Sequence, residues 1–200
     1  MIKLYAHLTS EQRKAIEDVQ FGGLLKISCS QIPSDFANWI VAECFDPEKS
    51  QLVLPGRGSI SLTAASAAEI LGLPNGGHPV RYELDVEAID FIHERFNLDK
   101  GIAPKIDTIV QRIKANKVAN EDFLMSWLML AVSTFLCPST GLSISPRCYP
   151  SIMDLSSVKN LNWAQFVIDQ LKESALKFDK KNSVKGCVLL LVVSIFLLPL

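Results

Sequence analysis

The residues with the means for chemistry in this 200-residue chain are five scattered cysteines, three histidines and the stretch LGLPNGGHPVR at 71–81. A phosphate-cradling loop runs from a strand into a helix N-terminus, so that glycine-rich backbone amides and the positive end of the helix dipole face the anion. Here Asn75-Gly76-Gly77 follows a helical stretch and leads into His78-Pro79-Val80, the reverse order, and this predicts a turn. His78 then stands on an exposed loop, and no spacing sets a second ligand or a proton-transfer partner beside it. Cys137 and Cys148 bracket a proline- and serine-rich crossing, where only Arg147 offers Cys148 the cationic setting that makes a thiolate reactive, so both read as structural. Ser126, Ser133 and Thr134 have no His or Asp at an interpretable spacing and are expected to bond nearby carbonyls. No catalytic, cofactor-binding or metal-binding residue is assigned.

Charge narrows the partners. The formal net charge is −1, without the basic excess of a dedicated nucleic-acid binder. Candidate nucleic-acid contacts are therefore confined to two local basic faces, Arg112, Lys114 and Lys117, and Lys177, Lys180, Lys181 and Lys185. Each reads first as a solvated helix face. The cysteines (Cys29, Cys44, Cys137, Cys148, Cys187) are odd in number and contain no C-x-x-C pair, which points to reduced thiols rather than a disulfide framework or a zinc ribbon. The N-terminal text HLTSEQRKAIEDVQ is polar, not a signal peptide, so an intracellular rather than a secreted location is expected.

The elements that must carry these residues are mainly helical. Thr9 and Gln12 form a capping box for a short helix ending near Gly22-Gly23. Phe36, Trp39, Ile40 and Phe45 recur at helical spacing and read as a core-bound face, until Asp46-Pro47 stops the helix. QLVLPGRGSISL then changes period and reads as a β-hairpin at about 51–62. Thr63 caps AASAAEIL, Gly72 falls where a left-handed C′ residue belongs, and Pro74 forbids resumption. Asp85 caps a helix through Phe96 with His93 on its flank, and Pro104 suits the first turn of an amphipathic helix bearing Ile106, Ile109, Val110 and Ile113.

Asn120 opens FLMSWLMLAVSTFL at 123–136, apolar around nearly the whole helical circumference and so destined for burial on most sides. Its fourteen residues span about 21 Å, short of a hydrocarbon core of about 30 Å, which favours the centre of a bundle. Asn162 caps a further helix to about Phe178. The expected fold is one mainly α domain over 1–200, a helical bundle around 123–136 with one small hairpin. The last apolar run, 187–198, follows Lys180, Lys181 and Lys185, the flank of a membrane anchor. Twelve residues reach only about 18 Å as a helix, so a buried final helix is the first reading and a membrane anchor through 187–200 the alternative.

Five blocks, FGGLLKI at 21–27, FDPEKSQLVLP at 45–55, ISLTAASAAEILGLPNG at 60–76, FLCPSTGLSISPRCYPSIMDLSSVKNLNWAQFVIDQL at 135–171 and KGCVLLLVV at 185–193, resemble the plant mobile domain, also labelled aminotransferase-like. The resemblance implies a mostly helical, transposon-derived module linked to transposon silencing, genome integrity and meristem maintenance, with no established catalytic residues. It also implies that a ubiquitin-like-protease-type region would lie beyond Leu200, and that the chain is truncated at its apolar tail. Transaminase chemistry needs a Schiff-base lysine in a phosphate-binding α/β fold, and the strand–helix alternation of such a fold is absent here. The resulting expectation is a non-enzymatic nuclear module that contacts proteins or chromatin, the alternative being a small protein attached to a membrane through 187–200.

Overall fold

A computed structural model describes residues 2–29, 31–99, 101–138, 141–178 and 186–196. The N-terminal helices are short and end on local signals. α1 (Ile2–Tyr5) precedes α2 (Ser10–Asp18), which the expected box closes: Thr9 Oγ1 accepts from the Gln12 amide (3.2 Å) and Gln12 Oε1 from the Thr9 amide (3.0 Å). The same Gln12 is fully buried, and its Nε2 donates to the Asn116 carbonyl at 2.7 Å, so one residue caps a helix and ties it to a distant loop. A 3-10 turn (Gly22–Lys26) leads to α3 (Ser34–Trp39), which continues as a π-turn over Ile40–Cys44.

The hairpin forms at the expected place, β2 (Gln51–Leu54) against β3 (Gly58–Ser61), around a turn in which Gly56 and Gly58 both take positive φ. A third strand was not foreseen: β1 (Phe45–Asp46) pairs antiparallel with β2, giving the order β1-β2-β3. Two residues carry too little alternation to be read as a strand, and the pairing exists only because the preceding helix delivers Phe45 beside Leu52.

α4 (Ala64–Leu71) carries the Thr63 cap and ends at Gly72 with φ +61, the left-handed residue anticipated there. α5 (Val86–Phe96), capped by Asp85, ends at left-handed Asn97. α6 (Ile106–Ala115) starts only after its N-cap Lys105, so Pro104 lies before the first turn expected to hold it. α7 (Glu121–Ala131), capped by Asn120, runs on into a second π-stretch, Val132–Leu136. Two 3-10 segments, Pro146–Ser151 and Val158–Asn160, precede α8 (Trp163–Leu176) and α9 (Val188–Phe196).

The centre is where the sequence placed it. From Met125 to Ser133 every side chain is buried, with Phe123 and Leu136 enclosed at either end. α2 and α6 pack on α7, and α4 packs on α8. Phe21 knits the halves together edge-on, its ring centroid 6.1 Å from that of Trp127 and 5.3 Å from that of Trp163. The apolar tail is also part of this core: α9 packs on α4, β2 and the 40–44 turn, burying Val188 through Leu191. Among the described residues no helix is long and apolar enough to cross a membrane.

Candidate functional site

The 71–81 stretch is a strap that the fold closes on itself. Gly72 lies against Gly23 so tightly that a Cβ on Gly23 would sit 2.3 Å from the Leu71 carbonyl oxygen, and one on Gly77 would sit 1.9 Å from that of Asn160. Absence of side chains is thus used for backbone approach rather than for an anion. His78 pairs with Leu161 in a parallel bridge: its amide donates to the Asn160 carbonyl (2.9 Å) and its carbonyl accepts from the Asn162 amide (2.8 Å). The imidazole remains exposed. The N-terminus of α8, which could have served an anion, is met by the chain: Asn162 Oδ1 accepts from the Gln165 amide (2.9 Å), and the Pro74 carbonyl from the Ala164 amide (3.0 Å). Ser151 fastens the far end, accepting from the Arg81 amide (2.8 Å) and donating to the Arg81 carbonyl (3.0 Å).

The 137–151 crossing likewise engages its thiols. Cys148 is fully buried and donates to the Ser145 carbonyl (3.1 Å), and burial pushes its thiol well above the ordinary range. Arg147, its one sequence-adjacent cation, lies 5.9 Å over the Tyr82 ring instead. Cys137 Sγ contacts Gln170 Oε1 at 3.3 Å, and burial pushes the Cys187 thiol up to about 12. Thiols held in this protonated state are poor nucleophiles. Thr134 donates to the Leu130 carbonyl (2.7 Å) as expected, and Ser133 accepts from the Ser145 amide (3.0 Å). Ser126 departs from expectation: its buried hydroxyl has no partner among the described residues. Within those residues no group of three or more His, Cys, Asp or Glu could hold a metal ion.

The basic faces hold the fold as well. Arg112 donates to the Phe96 carbonyl (2.8 Å) and stacks 4.8 Å over the Phe96 ring, closing the C-terminus of α5. Lys117 donates to the His7 carbonyl (3.0 Å), and Lys114, between them, is half-buried. Lys177 pairs with Glu173 at 2.6 Å across one helical turn. Lys180, Lys181 and Lys185 lie outside the described residues, as do 197–200 of the apolar tail.

Two features escaped sequence reading. His93, placed on the flank of its helix by spacing, is 6% exposed because the Pro146–Ser151 segment covers that flank, setting Tyr149 against it with ring centroids 6.3 Å apart. The second is at the surface. Helical spacing sets Phe36, Trp39, Ile40 and Phe45 on one core-bound stripe, but only Ile40 and Phe45 are buried; Phe36 is half-buried and Trp39 is 42% exposed. The π-turn beginning at Ile40 holds extra residues per turn, so Ile40, Val41 and Cys44 swing inward without carrying Trp39 along. The indole stacks on Phe36 (centroids 5.7 Å, planes 25° apart) and lines a depression of about 250 Å³ with Asn38, Ala42, Glu43 and Phe178. A shallower depression of about 400 Å³ lies beside the Gly23–Gly72 contact and is lined partly by Glu17, Gln20 and Lys26.

Comparison with known proteins corrects the family reading. A family model described as a domain of unknown function (DUF8566) matches residues 1–192. No curated protein and no solved structure matches the chain. The plant mobile domain is not among the matches, so the resemblance drawn from the five blocks is overturned. The geometry explains why those blocks misled. In ILGLPNG the glycine is the left-handed end of α4 and the proline and glycines shape the strap, punctuation that any helix followed by a tight loop requires.

Proposed function

Because the chain belongs to the DUF8566 family, whose function is unknown, we propose from its own geometry that it is a non-enzymatic helical module that contacts another protein, with Trp39 at the contact. The observation that carries this reading is the exposed indole stacked on Phe36 beside a concave, largely apolar depression. Tryptophan is enriched among the side chains that dominate interface energetics, because a large flat ring buries much area at little entropic cost. A π-turn directly after it adds weight, since such turns disfavour the helix and recur at functional positions. The groups that would serve catalysis offer less: Cys148 is buried and bonded to backbone, and the loop of His78 is bonded to the α8 entrance. Nucleic-acid binding through Arg112 and Lys117 would compete with the carbonyls those side chains now hold. Membrane attachment through 187–200 would require α9 to leave the core.

The test is a photo-crosslinking residue at Asn38, beside Trp39 in the same depression, followed by affinity measurement on the captured partner. Trp39→Ala should weaken that complex at least tenfold, about 1.4 kcal/mol, with an unchanged melting temperature. Retention of full affinity by Trp39→Ala overturns the surface assigned here. A Cys148 that reacts with iodoacetamide in the folded protein as fast as exposed Cys29 overturns the non-enzymatic reading.

A further inference from the structure

We draw no further inference here: the strongest candidate, the aromatic depression between Trp39 on α3 and Phe178 beyond α8, belongs to the site already described, and nothing in the structure shows what covers it.

Discussion

Tyr149 carries its hydroxyl into the interior, where no described residue receives it. A buried, unpartnered hydroxyl costs about 1–3 kcal/mol of desolvation, and removing it while keeping the ring leaves the packing against His93 in place. Tyr149→Phe should therefore raise the melting temperature, by about 2–4 °C for each kcal/mol recovered in a chain of this size. Calorimetry decides the sign, and a lower melting temperature would mean that the hydroxyl is bonded in solution. Carboxylates at the surface act in the opposite direction. The Ala88 amide and then Arg81 hold Asp85 below the usual carboxylate range, and the Lys49 amide does the same for Asp46. A carboxyl whose folded pKa is depressed contributes stability above its unfolded value of about 4 and loses it as pH falls through the folded value. Melting temperature should hold steady near neutrality and fall below about pH 4. Asp85→Asn, which keeps a capping oxygen but does not titrate, should fall less across that window.

At the scale of elements, the strap makes a sharper claim about glycine. Gly76 and Gly77 both have positive φ, but a Cβ on Gly76 meets nothing within 4 Å whereas one on Gly77 drives into the Asn160 carbonyl. Gly76→Ala should cost about 1–2 kcal/mol for the backbone alone. Gly77→Ala should cost at least about 2 kcal/mol more, because the His78–Leu161 bridge must open to admit the methyl group. Equal costs in urea titrations would show that the strap is not seated on the α8 entrance. The contrast also marks what was legible beforehand. Caps at Thr9, Thr63, Asp85, Asn120 and Asn162, and the left-handed end at Gly72, are settled within about four residues of chain, and each was readable. The approach of Gly77 to Asn160 and the cover over His93 join segments tens of residues apart, and the pairing of Phe45 with Leu52, though local, involves a strand of two residues, too short to show a period. Trp39 was misplaced for a subtler reason: a stripe drawn at 3.6 residues per turn fails where the helix widens.

At the scale of the whole molecule, the question is what the apolar tail does for a core that already has a centre. α7 is enclosed by α2 and α6, with Phe21 set edge-on against its Trp127 and against Trp163 of α8, but Ile40, Leu52 and Ala67 belong to elements that α9 packs against. Val188, Leu189, Leu190 and Leu191 are all buried, and at about 1.5–3 kcal/mol each their burial amounts to about 6–12 kcal/mol. That rivals the 5–15 kcal/mol or so by which ordinary domains are stable at all. α9 is therefore structural in the strict sense that the remainder should not hold without it. A chain ending at Gly186 should lose its cooperative thermal transition and bind a hydrophobic dye while keeping much of its helical circular dichroism. If the shortened chain instead melts cooperatively at the parent's temperature, α9 contributes nothing to the core and is available as an anchor, and the globular reading of 187–196 fails.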